Sequence, residues 1–192
     1  MAIIRFLLVF IILGINILAS NKELSTIKDL QGFVLENTAI NNRKIEKKYN
    51  IQLIIPNLLK KEMVFPEMNK GEIYLYKDGK RYVYLPIFNE VSEDRSDSDT
   101  NNFLNIMNYI IKETKENKEF RKNYYEGKIK KLSLKDNIIV NLLEYKSIES
   151  YLLPTKIDVY SGKEKMGTLI FSNIKINQNL KEDDFKITDG NN

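Results

Sequence analysis

Hydrophobic and polar residues alternate along most of this chain, and the alternation predicts strands. Tyr49, Ile51, Leu53 and Ile55 take every second position until Pro56 and Asn57 end the run, and residues 33–40 alternate more weakly. Residues 61–65 form another candidate strand, closed by Pro66. The sharpest local signal is a hairpin, in which residues 73–76 and 82–85 flank Lys77-Asp78-Gly79-Lys80. Asp-Gly suits a tight hairpin turn because both central positions need a positive φ. Further strands are expected near Gly127 and over residues 138–145. A last hairpin should pair 155–160 with 166–171 across 161–165. Ile174 and Ile176 continue that alternation, and Phe185 is placed to plug the end. All four prolines, at 56, 66, 86 and 154, fall at predicted strand boundaries, as expected of residues that cannot donate to a ladder.

Two stretches follow the helical period instead. Leu24, Ile27 and Leu30 predict a short amphipathic helix stopped by Gln31-Gly32. Phe103, Met107 and Ile110, with Leu104, Ile106 and Ile111, predict a longer one from Asn102 to about residue 118. The acidic stretch 93–100 before it reads as a solvated loop. Several strands are apolar on both faces. Ile73 and Leu75 alternate with Tyr74 and Tyr76, and Val83 and Leu85 with Tyr82 and Tyr84. A sheet with one wet face would show polar residues at every second position. Both faces are therefore expected to be covered, by two packed sheets with helices outside or by a curved sheet wrapped around helices.

Residues 1–19 carry the marks of a secretory signal peptide: Arg5, an unbroken apolar core over 6–13, then Gly14, Asn16 and the small pair Ala19-Ser20. The uninterrupted run is shorter than the roughly 20 apolar residues a bilayer span needs, and the rival reading of the same signals is an uncleaved N-terminal anchor. Residues 20–192 then form one ordinary domain. Leaving out Arg5, 29 basic residues stand against 26 acidic ones, mixed along the chain, so no nucleic-acid footprint is expected. With no cysteine, an exported fold rests on its core and not on disulfides, and the chain has no residue to acylate as a lipoprotein.

The missing residue types bound the chemistry. Without histidine or cysteine, Ser-His-Asp and Cys-His nucleophiles, and the zinc sites that use these ligands, are excluded. The eight glycines are scattered through turns and form no phosphate loop. Glu182, Asp183 and Asp184 read as a turn or capping cluster. Asp94, Asp97 and Asp99 lack the spacing of a calcium loop. Tyr74, Tyr76, Tyr82 and Tyr84 could stack on sugars or bases, but cross-strand pairing is the ordinary use of tyrosine in a hairpin. Lys60-Lys61 could meet phosphate headgroups, but an exposed edge pair is the ordinary reading. No catalysis, cofactor or metal is expected.

The order of elements and several motifs resemble the periplasmic outer-membrane lipoprotein-sorting (LolA-like) carriers. The residues that carry this are Leu24-x-x-Ile27-x-x-Leu30 before Gly32-Phe33, and the strand ending Ile55-Pro56 before Lys60-Lys61-Glu62. With them go the hairpin from Ile73 to Pro86 with Val91 beyond, the run Leu153-Pro154-Thr155-Lys156-Ile157, and the stretch 169–177 followed by Asp184-Phe185. Ile55 departs from the pattern, since the best-known branch usually has arginine before the aligned proline, a residue tied there to lid control and cargo release.

The resemblance implies a mostly β (α+β) fold: an incomplete, strongly curved antiparallel half-barrel with helices over its open mouth. It implies a monomeric periplasmic carrier, in a diderm bacterium, for an acylated lipoprotein or free lipid. Its expected partners are an inner-membrane lipoprotein-releasing transporter and an outer-membrane acceptor. On that reading the apolar wall is Leu53, Ile55, Phe65, Ile73, Leu75, Val83, Leu85, Leu169 and Phe171, and the lid is Phe103, Met107 and Ile110. A one-residue slip in register would move a wall residue to the other face. Two rivals are an envelope interaction or sensor domain on the same fold, and an enzyme acting on envelope sugars through paired carboxylates.

Overall fold

A computed structural model describes residues 21–40, 43–94 and 103–187, so the signal-peptide reading lies outside the described residues. A first meander comprises β1 (Asp29–Ile40), β2 (Arg43–Ile54), β3 (Leu58–Phe65), β4 (Ile73–Lys77), β5 (Lys80–Leu85) and β6 (Glu90–Asp94). Helices α1 (Phe103–Glu116) and α2 (Lys118–Tyr125) follow. A second meander comprises β7 (Lys131–Ser133), β8 (Ile138–Ile148), β9 (Tyr151–Ser161) and β10 (Glu164–Ile176). Pairing of β1 with β10 joins the two into one ten-stranded antiparallel sheet, ordered β6-β5-β4-β3-β2-β1-β10-β9-β8-β7. The sheet curves without closing, which leaves β6 and β7 as edges.

Alternation decides what the concave face carries. Leu30 and Val34 of β1, Ile51 and Leu53 of β2, Ile157 and Val159 of β9, and Leu169 and Phe171 of β10 all belong to one buried cluster. From α1, Phe103, Leu104, Ile106, Met107 and Ile110 enter the same cluster. An amphipathic helix with that spacing can bury its stripe only against another apolar surface, and the hollow of the sheet supplies one.

The helical expectation over residues 102–118 is met by α1, but a second helix follows at once. Asn117 separates them, and its side chain accepts from Phe120 N at 2.9 Å, capping α2. Arg121 turns back to donate to the carbonyls of Thr114 and Lys115, which closes the C-terminal end of α1. The hairpin over residues 73–85 forms as expected, with Asp78 at φ 50° and Gly79 at φ +77°.

Other expectations change. The predicted helix at Leu24–Leu30 is only a 3-10 turn, Leu24–Thr26, followed directly by β1. A period of three is also that of a 3-10 turn, so Leu24, Ile27 and Leu30 are all buried without an α-helix. Gln31-Gly32 is a bulge in the pairing of β1 with β10. A Cβ at Gly32 would sit 3.2 Å from the Ser172 carbonyl oxygen, a tight approach that favours glycine. Residues 90–94 pair as a strand although they are acidic, and 95–102 lie outside the described residues. No strand forms at Gly127, where φ is +66°, and pairing resumes at Lys131. Pro154 sits inside β9, opposite Tyr145, where the pairing with β8 shifts register on both sides of Glu144. The bulge removes the need for the missing N–H.

Coverage of the two faces also differs from expectation. Helices cover part of the concave face. Among the described residues, the outer face of β3 and β4 receives the C-terminal segment, held by Lys60 Nζ on the Asp184 carbonyl (3.0 Å) and Lys77 Nζ on Glu182 (3.0 Å). Phe185 of that segment is buried, at 2% exposure.

Candidate functional site

The concave face divides into two regions. In the first, α1 lies in the trough formed by β2, β1, β10 and β9. The Phe103 ring rests 4.2 Å from that of Phe171, and Met107 and Ile110 are fully buried. Leu53 and Leu169 complete the wall. A polar tie between α1 and the sheet side of the trough is Asn108 Nδ2 on the Pro56 carbonyl, at 2.8 Å. α2 anchors the helix pair at the far end of the sheet. Tyr124 OH donates to the Leu152 carbonyl at 2.9 Å, and Tyr145 OH donates to the Ile129 carbonyl at 2.6 Å. Burial of both phenols pushes their ionisation upwards, because the charged form would lose its water.

The second region is the stretch of concave face on β1–β5 that borders α1, and it is charged. A cavity of 220 Å³ there is lined by Glu36, Lys47, Tyr49, Lys61, Met63, Asn69, Glu72, Tyr74, Tyr76 and Arg81. Cross-strand register assembles it: Glu36 lies opposite Lys47, Tyr49 opposite Met63, Lys61 opposite Tyr74, and Tyr76 opposite Arg81. Lys61 is only 8% exposed, with its ammonium 5.6 Å from the Tyr49 ring and 5.3 Å from the Tyr76 ring. Aromatic faces carry negative potential, so this geometry stabilises a cation where water is scarce. Tyr49 OH donates to Glu36 at 2.9 Å, while Tyr74 OH and Asn69 Nδ2 donate to the two oxygens of Glu72, both at 2.7 Å. The sequence pattern singled out Tyr74, Tyr76 and Lys61 separately, but not their meeting with Glu36, Lys47, Tyr49 and Arg81 in one cluster. Lys61 reads as one of an edge pair until the β2–β3 and β3–β4 registers turn it inward.

The nine expected wall residues do not share one surface. Leu53, Leu169 and Phe171 lie under α1, and Ile55 packs against the same cluster from the β2–β3 turn. Val83 and Leu85 face the concave side, half-buried, because Val83 pairs with the pocket residue Tyr74. Ile73 and Leu75 face outward, since Tyr74 and Tyr76 between and beyond them point into the pocket. Leu75 lines a shallow outer depression with Tyr82, Val91 and Ile187. Phe65 stands at the rim, 42% exposed, under the Lys48 ammonium at 5.1 Å. The expected lid residues Phe103, Met107 and Ile110 are brought together on one stripe of α1.

A half-barrel with a helix seated in its trough defines the LolA-like class of fold, and comparison with solved structures gives the same class. A LolA superfamily protein from Nitrosomonas europaea superposes with a TM-score of 0.55 at 12% identity, covering 84% of this chain and 91% of that one. A putative outer membrane lipoprotein-sorting protein domain from Vibrio parahaemolyticus gives 0.54 at 9% identity, with coverage of 87% and 92%. A DUF1329 family protein from Desulfovibrio piger gives 0.59 at 11% identity, with coverage of 85% and 91%. The chain has the LolA-like fold. No protein-family profile matches the sequence, and no curated protein sequence matches it. Among the described residues no helix is long and apolar enough to cross a membrane.

Proposed function

We propose that this protein is a non-catalytic envelope carrier that shields an acyl chain in the trough, with α1 as a displaceable cover. The observation that carries the reading is the seat of α1. Five apolar side chains of one helix, all at most 5% exposed, fill the hollow of a sheet that does not close around them. Fully burying such a side chain is worth about 1.5–3 kcal/mol, so the stripe contributes roughly 8–15 kcal/mol. An acyl chain gains about 0.8 kcal/mol per buried methylene, so a chain of a dozen or more carbons offers a comparable amount. Exchange of helix for lipid is therefore close to balanced, as a carrier that must release its cargo requires. The cargo on this reading is an acylated lipoprotein or free lipid, and the compartment is the periplasm.

A second reading, an interaction or sensor domain, gains support from the same filled centre, because a permanently seated α1 leaves no room for a tail. Titration of the folded protein with a fluorescent fatty acid separates the two, using Met107→Ala to loosen the cover. A carrier binds the probe saturably, and the variant binds it about tenfold or more tightly, because the helix competes less well. A sensor domain with a fixed core loses about 2–5 kcal/mol of stability in the variant and binds no probe in either form. That result would end the carrier reading.

A further inference from the structure

The charged pocket lies outside the apolar trough yet shares residues with its wall: Tyr49, Met63 and Tyr76 belong both to the core cluster and to the pocket lining. We propose that this pocket is a binding site for a phosphate group, presented either on the head of an anionic amphiphile or free in solution.

Three cations line the pocket, Lys47, Lys61 and Arg81, with two carboxylates, Glu36 and Glu72, and Asp94 stands opposite Arg81 in the β5–β6 register. Three of the four carboxylate oxygens of Glu36 and Glu72 accept from neutral donors, the phenols of Tyr49 and Tyr74 and the amide of Asn69. Those donors hold the acids in place along the wall. An ammonium and a guanidinium converging on one cavity match the multiple acceptor oxygens of a phosphate, which Arg engages as a planar fork and Lys as a point charge. Lys61, 8% exposed, lies beside two tyrosine faces whose negative potential attracts a cation. Size argues in the same direction. At 220 Å³ the cavity is below the roughly 300–1,000 Å³ typical of sites that enclose a whole small molecule, which suits a head group whose remainder lies elsewhere. The shared lining residues give that remainder a path onto the trough, and only this last link rests on the carrier reading.

The test uses the folded protein and two probes, glycerol phosphate and a short-chain phosphatidylglycerol kept below its micelle concentration, followed by calorimetry. Wild type is expected to bind both, the phospholipid more tightly. Arg81→Gln is expected to weaken each by about tenfold, with Arg81→Lys intermediate, while Lys163→Gln in the β9–β10 turn changes nothing. Circular dichroism and urea unfolding confirm that the Arg81 variants fold, and Lys61→Gln is read only if it folds too. Equal affinity for both probes still supports the phosphate site and makes free phosphate its ligand. Binding of phospholipid that is indifferent to Arg81 overturns the site while leaving a tail-binding carrier intact. Failure to bind either probe overturns it outright.

Discussion

The two halves of the concave face are built from the same sheet by the same alternation, yet they differ in kind. On β9 and β10, the inward residues Leu153, Ile157, Val159, Leu169 and Phe171 are apolar and dry, with the buried Thr155 the one polar side chain among them. On β3–β5, inward positions carry Lys61, Tyr74, Tyr76 and Arg81, and no helix among the described residues lies over them. A helix cannot be seated on a charged wall without desolvating it. The charge pattern of β3–β5 thus marks where α1 stops and where a polar ligand has access. One half of the sheet supplies stability, and the other is free to vary in shape and chemistry.

The most severe way to break that contrast is to remove bulk from each half in turn. Phe171→Ala should destabilise the protein by about 3–5 kcal/mol, since it empties the contact with Phe103. Val83→Ala, on the same face but half-buried beside the pocket, should cost about 1 kcal/mol. Urea unfolding of the two variants measures the difference, and equal losses would show that the halves share one core.

A smaller effect comes from pH. Tyr124 and Tyr145, which seat α2 on the helix-covered half, ionise less readily folded than unfolded because of burial. A raised folded pKa means that their contribution is fully present below the unfolded value of 10.0 and is lost as pH rises beyond it. Urea midpoints should therefore hold up to about pH 9 and fall by about pH 11. Tyr145→Phe should start about 1 kcal/mol lower, through the lost bond to Ile129, and fall less steeply. Parallel slopes for variant and wild type would remove Tyr145 as a cause.

The least effect should come from the tip of the open half. Ile87 and Phe88, 80% and 69% exposed in the β5–β6 turn, contribute little to folding. Ile87→Ser combined with Phe88→Ser should leave stability within about 0.5 kcal/mol. A larger loss would mean that this turn packs against something in the folded protein.

Much of the fold was legible in sequence order because its signals are local. Asp78-Gly79 forces its turn, the 103–111 stripe forces an amphipathic helix, and the alternation from Tyr49 to Leu53 forces a strand. The errors arose where a local signal had two solutions. Spacing of three in Leu24, Ile27 and Leu30 fits a helix, but also a 3-10 turn that runs into a strand. Pro154 marks a boundary unless a bulge on the neighbouring strand accommodates it.

The candidate site was legible in part, for a related reason. Apolar type told which residues would be buried, so Leu53, Leu169, Phe171 and the stripe of α1 could be named in advance. It does not tell faces apart on strands that are apolar on both, so Ile73 and Leu75, which face outward, look the same in sequence as Val83 and Leu85, which face inward. Tyr74, Tyr76 and Lys61 stand out one by one, but the pocket as a unit does not, because its members, from Glu36 to Arg81, are brought together only by five strands in register.

The sequence by itself determined the composition of chemistry available, the turns, the helix stripe and the strand periods, because these depend on neighbours a few residues apart. Which tyrosines and lysines face inward, how far α1 reaches along the trough, and that a buried lysine meets two aromatic rings were decided by tertiary structure alone. The physical reason is that cross-strand register and sheet curvature depend on partners on other strands, and a single shift of register exchanges the two faces.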